Sequence, residues 1–356
     1  MNIIIRRHFF LCAILISCIT SVLFAEASIF PAKADDLPLK ITGIFSIGVE
    51  EAETEEEKPF EFYNIANIDC DKNQNLYVLD YQAHCIKVFD KDGKFTRQIL
   101  SKGQGPKEIS NFVRFKINKF TNHLFVLQNF GFSMKEFDIS GNFVKSYILP
   151  QQFIYYFDFI DKDRAIFITH NTNNKEKDYN FKIVNIKTRK IEKTFAETKV
   201  NSYLRISQRF SINKDKLWTS PCDGIDVLAY NLDSYEKTNS IRIPGKFKKN
   251  LFKSKPTHGG STIVQIYFNR ANPFFVDQLL FILATTQDYK VENNQYADYP
   301  HSSKLSLYYM VGDNLKKLGT LEGFDYMEFG AVTGNRVFFF SNEPYPRIKA
   351  IEIKSR

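Results

Sequence analysis

Between Asn75 and Leu149 apolar and polar positions alternate with a period of two, and the same arrangement is written twice. Leu76-Tyr-Val-Leu-Asp80 is followed by Ile86-Lys-Val-Phe-Asp90 and Gly93-Lys-Phe95. Leu124-Phe-Val-Leu-Gln128, Met134-Lys-Glu-Phe-Asp138 and Gly141-Asn-Phe143 then repeat it. Leu76, Val78, Lys87, Phe89, Asp90, Gly93 and Phe95 each recur 48 positions later. Short alternating runs read as strands. A fixed period of this length reads as a repeat fold in which each unit buries its apolar face on the next.

Extended along the chain, the pattern predicts six blades. Blade one takes Phe62–Asp71, Leu76–Asp80, Cys85–Asp90 and Phe95–Leu100, and blade two Phe112–Phe120, His123–Gln128, Ser133–Asp138 and Phe143–Leu149. Their hairpins are cued by Asp90-Lys-Asp-Gly93 and Ile139-Ser-Gly141, where Gly accepts a positive φ. Blade three reads as Tyr155–Ile160, Ala165–His170, Asn180–Ile186 and Ile191–Ala196. Blade four reads as Gln208–Asn213, Lys216–Ser220, Asp226–Leu232 and Lys237–Ile243. Blade five, with a polar insertion at Gln287–Ser302, reads as Thr262–Phe268, Gln278–Thr285, Lys304–Val311 and Lys316–Leu321. Blade six has only Tyr326–Val332, Arg336–Ser341 and Arg347–Ile353, while one orphan strand, Leu39–Ile47, opens the mature chain. A closed ring leaves no free edge. The expectation is therefore an all-β, six-bladed β-propeller over 39–356, with the N-terminal strand completing the last blade.

Composition agrees with strands: 35 Phe and 18 Tyr against four Met and one Trp, since aromatic rings pack well on pleated surfaces. The six glutamates between Glu50 and Lys58 carry no apolar period and read as a solvated loop. Residues 1–27 read as an export signal: Arg6 and Arg7, an apolar run from Phe9 to Ala25, and a small-x-small site at Ala25-Glu-Ala27. A lipoprotein box ending at Cys18, or an uncleaved anchor, are the alternatives, and 28–38 is a linker. The protein is thus expected outside the cytoplasm, periplasmic or at the cell surface, with any membrane attachment through that segment. Cys70, Cys85 and Cys222 remain in the mature chain. Their odd number leaves at least one free thiol, and the strand positions of Cys70 and Cys85 put them too far apart to pair.

Gly103–Pro106, Asn75–Asp80, Ile86–Asp90 and Gly93–Phe95 resemble the blade motif of NHL-type six-bladed β-propellers of bacteria. The likeness is clear over blades one and two and departs where His84 and Cys85 replace the usual Asn and Arg. It implies a blade, and fold does not imply function. Relatives of that type include interaction platforms, sugar-lactone hydrolases and a metal-dependent lyase.

A lactonase-like site would hold a divalent cation such as Ca on oxygens from several innermost strands. Asp69, Asp158, Asn213 and Glu328 are available but in no common register. His84, His170, His123, His258 and His301 do not converge in the pattern, and no Gly-x-Ser-x-Gly elbow or phosphate loop is present. The basic tract Lys246–Lys255 reads as a solvated crossing, and export argues against nucleic acid. The expectation is a monomeric, non-enzymatic scaffold without a cofactor, binding a protein or glycan through its loop-rich face. Tyr81, His84, Phe130, Phe132, Tyr155, Lys248, Lys249, Tyr289 and Tyr345 are its candidate residues. A metal-assisted hydrolase or lyase with an ion at the central channel is the alternative.

Overall fold

The structure, a computed structural model, describes residues 39–109, 112–128, 131–150, 154–171, 177–200, 209–220, 226–245, 251–257, 260–292, 295–296 and 302–355. The leading segment, Phe130, Cys222, Lys248, Lys249, His258 and His301 lie outside the described residues, as do the side chains of Tyr155, His170 and Tyr289.

Six antiparallel sheets follow one another around a ring. From the channel outward, blade one is Ile65–Cys70, Leu76–Asp80, Cys85–Phe89 and Phe95–Ile99. Blade two is Phe112–Asn118, His123–Gln128, Ser133–Phe137 and Phe143–Ile148. Blade three is Ile154–Phe159, Arg164–Asn171, Lys177–Asn185 and Lys190–Val200, and blade four Phe210–Asn213, Lys216–Thr219, Asp226–Asn231 and Lys237–Arg242. Blade five is built on Gly260–Val276, Leu279–Glu292, Ser302–Val311 and Asn314–Thr320. Blade six is Glu328–Thr333, Arg336–Ser341 and Arg347–Ser355, and its outermost strand is Leu39–Ile47. That latch runs antiparallel to Arg347–Ser355, from Leu39 opposite Ser355 to Ile47 opposite Ile348.

Each seam between neighbouring blades holds one apolar cluster, six among the described residues. In blade one the second and third strands are therefore buried on both faces: Leu76–Asp80 and Cys85–Phe89 are buried at every position. The outer strand Phe95–Ile99 alternates between half-buried and exposed up to the buried Ile99. The latch serves two seams, with Leu39 packing towards blade five and Phe45 and Ile47 towards blade one.

The repeated polar residues do local work. Asp90 Oδ1 accepts the amides of Asp92 and Lys94, both at 2.9 Å, and Asp138 Oδ1 accepts those of Ser140 and Asn142 at 2.9 and 2.8 Å. These side-chain turns end at Gly93 and Gly141, whose φ values of 82° and 88° an L-residue rarely adopts. A Cβ on Gly141 would also lie 2.9 Å from Ile99 Cβ. The repeated lysines of the third strands tie down the crossing that enters their own blade. Lys135 Nζ donates to the carbonyls of Gly105 and Glu108 at 2.9 and 2.7 Å. Lys87 donates to Glu61, and Lys349 in blade six to Gly323, in the same manner.

Blade five departs from its expected layout. Its innermost segment is Ala271–Val276, not Thr262–Phe268, because the hairpin turns at Asp277-Gln278 and pairs Val276 with Leu279. Residues 265–270 and 285–290 instead continue the same ladder away from the turn. Leu251–Thr257, expected within a crossing loop, is a further strand on Gly260–Tyr267, and Gln287–Glu292, expected as insertion, continues the second strand. The reason is that this hairpin is long enough to satisfy its backbone as a ladder rather than as loop. Ser101–Lys102 and Glu108–Ile109 add a short parallel ladder, joined by the loop through Gly103–Pro106. Cys70 and Cys85 are free and buried.

Candidate functional site

Innermost strands have one edge facing the channel with no strand to pair it, so their amides and carbonyls must find side chains. Asn67 Oδ1 accepts the Phe115 amide at 3.0 Å and Asp69 Oδ2 that of Ile117 at 2.9 Å. In both cases blade one caps the position one repeat further along. Ser211 Oγ donates to the Pro273 carbonyl at 2.6 Å, from blade four to blade five.

These edges enclose a cavity of about 340 Å³ lined by Asp69, Lys116, Asp158, Ser211, Phe274 and Gly330, one residue from each blade in order. It reaches the face of the first-to-second-strand turns, where Lys72, Lys119 and Gly334 rim it. Of the candidate residues expected from sequence, Tyr81, His84, Phe132 and Tyr345 belong to the opposite face, that of the second-to-third-strand turns. Within the cavity Lys116 Nζ lies 3.2 Å from Asp69 Oδ2 and 3.4 Å from Asp158 Oδ2. Burial would lower this ammonium, but the Asp158 and Asp69 carboxylates outweigh it and hold it well above the ordinary lysine range. Asp69 and Asp158 thus share one cation supplied by the chain. Asn213 and Glu328 stand at opposite ends of their strands and do not join them.

A second layer lies nearer the loop-rich face. Arg209, immediately before the innermost strand of blade four, is buried. Its Nη1 donates to the carbonyls of Phe329 and, at 3.2 Å, Gly330 in blade six. Its Nη2 stands 4.0 Å from Glu328 Oε2. Arg114 of blade two places its guanidinium 5.7 Å from the Tyr156 ring centre. Burial, and then the Arg209 charge, push Arg114 down to about 10. Lys116 and both arginines escaped notice in the sequence. The available signal was Arg114-Phe-Lys116-Ile117, charges at alternate positions of an innermost strand with no ordinary solvent face.

On the loop-rich face, Tyr81 and Phe132 are 47% and 44% exposed, and Tyr63, which the pattern did not single out, is 61% exposed. His84 lies beside Tyr81, ring centres 6.2 Å apart, and the Arg347 guanidinium lies 5.3 Å from the Tyr345 ring. His123 sits at the other end of blade two, bound to Glu136 at 2.6 Å, and Tyr147 donates to the second oxygen of that carboxylate at 2.5 Å. Among the described residues no three His, Cys, Asp or Glu side chains are placed to hold a metal together. No helix among them is long and apolar enough to cross a membrane.

Two solved structures share this fold. One is a protein of Bacteroides fragilis NCTC 9343 named "Putative exported protein" (BF0058). It is similar at 13% identity and a TM-score of 0.58, over 92% of this chain and 98% of that one. The other is a member of the DUF4221 family from Bacteroides vulgatus ATCC 8482, at 11% identity and a TM-score of 0.58, over 89% and 99%. At such identities the likeness is one of fold. No curated protein matches the sequence. Residues 63–316, from the entry to blade one to the outer strand of blade five, match the family model for a domain of unknown function, DUF4934, and the chain belongs to that family.

Proposed function

We propose that this chain is an exported, non-enzymatic propeller that holds a protein or glycan partner against its loop-rich face. The observation that carries this reading is the Lys116 ammonium between Asp69 and Asp158. The two acids best placed to bind a channel cation are both paired with one buried lysine, so a metal-assisted hydrolase would first have to displace it. The exposed aromatics Tyr63, Tyr81 and Phe132 favour a contact role for the opposite face, since aromatic side chains supply large contact area at binding surfaces. The export signal at 1–27 and the fold shared with a protein named as exported support the location. The NHL-type likeness of blades one and two accounts for the scaffold within this reading.

The test is capture with mature protein from an envelope extract under mild crosslinking, beside a Tyr81→Ala/Phe132→Ala variant. A partner retained by the wild type and lost by the variant supports the proposal. Capture of nothing by either, together with stoichiometric Ca, Mg, Mn or Zn in the purified protein, would replace it with the metal-dependent alternative.

A further inference from the structure

The face opposite the exposed Tyr63, Tyr81 and Phe132 carries a second set of features. The channel cavity of about 340 Å³ opens there, and small-molecule sites begin at about 300 Å³. Its charged lining cancels: Asp69, Asp71 and Asp158 stand against Lys72, Lys116 and Lys119. An ion of either sign buried among them would upset that balance. Directional donors and acceptors remain. An ammonium has three donors, and Asp69 and Asp158 stand 3.2 and 3.4 Å from Lys116 Nζ, which leaves one donor for a ligand oxygen. Ser211 Oγ donates to the Pro273 carbonyl and keeps its lone pairs. Asp158, with a side chain 24% exposed, keeps acceptor capacity on its carboxylate. A hydroxyl both donates and accepts, so a neutral polyhydroxylated molecule matches this lining.

The rim adds an apolar platform. Phe120 follows the rim residue Lys119 in the same blade-two turn and is 55% exposed. It lines a neighbouring hollow of about 480 Å³ with Asp161–Arg164, the corresponding turn of blade three. Buried Asn118 fixes that turn. Its Oδ1 accepts the Phe120 amide at 2.9 Å, and its Nδ2 donates to the Asp161 and Lys162 carbonyls, both at 3.3 Å. A ring held in solvent by a tied turn offers contact area at little further cost in ordering. We propose that this face binds the end of a neutral saccharide chain, with the terminal unit in the channel mouth and the next unit over Phe120. A sugar presents hydroxyls around its ring and C–H groups on its faces. The hydroxyls suit Lys116, Asp158 and Ser211, and the C–H face suits an exposed aromatic ring. This site is separate from the loop-rich face, whatever partner docks there.

The test uses the full mature protein with glucose, galactose, mannose and N-acetylglucosamine, each as free sugar and as trisaccharide, read by saturation-transfer NMR and then by titration. At least one sugar should receive saturation in both sizes. The matching uronate and amino sugar should receive less, and a preference for either overturns the neutral assignment. Thr333→Trp, which fills the mouth from a half-buried position on blade six, should abolish transfer to both sizes with Tm unchanged. Phe120→Ala should weaken the trisaccharide about fivefold or more and leave the free sugar as it was. The Tyr81→Ala/Phe132→Ala variant should bind as the wild type does. Silence across the whole panel in the wild type means that the channel holds only water and overturns the proposal. Transfer that survives Thr333→Trp, or an undiminished trisaccharide in Phe120→Ala, puts the sugar elsewhere and overturns it as well. Loss confined to the Tyr81→Ala/Phe132→Ala variant overturns it in favour of a glycan on the loop-rich face.

Discussion

At the scale of single residues, the charged side chains of this protein divide into those that shape turns and those that compensate burial. Asp138 belongs to the first kind. Burial raises its carboxyl, but the hydrogen bonds from Asn142 and Ser140 outweigh that and hold it below the usual carboxylate range. A group depressed in the folded state stabilises above its unfolded pKa and loses that contribution as pH falls through the folded one. Asp138→Ala should therefore cost about 1 kcal/mol at pH 7, with the gap to wild type closing below about pH 4, as read by urea unfolding at a series of pH values. Lys116 belongs to the second kind. Lys116→Met leaves Asp69 and Asp158 without their cation and should destabilise by roughly 3–5 kcal/mol. Adding Asp69→Asn and Asp158→Asn should recover part of that loss in the same denaturation assay, because the unmatched charges are then gone.

At the scale of elements, the strand is the unit the chain specifies and the side-chain tie is what joins one strand set to the next. Lys135→Met should cost about 1–3 kcal/mol by freeing the Gly105 and Glu108 carbonyls. The same change at Lys145, an exposed residue of the neighbouring outer strand, should stay within about 0.5 kcal/mol. The latch carries more. Removing Leu39–Ile47 strips Leu39, Phe45 and Ile47 from two seams and bares the edge of Arg347–Ser355. Burial of three such side chains is worth about 5 kcal/mol or more, and bare edges invite pairing between copies. The truncated protein should unfold at lower denaturant and form oligomers by light scattering, and a peptide of residues 39–47 added in trans should reverse both. Unchanged stability in the truncated chain would contradict this account of closure.

At the scale of the whole molecule, the ring has two unlike faces joined by a charged channel. One carries the exposed Tyr63, Tyr81 and Phe132, and the other admits the cavity that ends at Lys116. Surface substitutions away from packing and caps alter stability little. Tyr81→Ala with Phe132→Ala should therefore leave the urea midpoint unchanged while abolishing partner capture. A fall in stability matching any loss of capture would assign these rings to the fold instead.

Blade count, most strand positions, the turn residues and the partner of the orphan first strand were legible in the sequence. Each of these follows from period-two alternation, local turn chemistry and the requirement that a ring leave no edge bare. It misjudged blade five, where Thr262–Phe268 and Ala271–Val276 are both apolar enough to be innermost and the Asp277-Gln278 turn carries no Gly to mark it. That Asp69 and Asp158 share Lys116, that Arg114 Nη1 is buried without an acceptor, and that Arg209 crosses from blade four to blade six emerge only once the ring is folded. These groups come from different blades, and their meeting depends on the curvature and register of the closed ring, which no local pattern along the chain encodes.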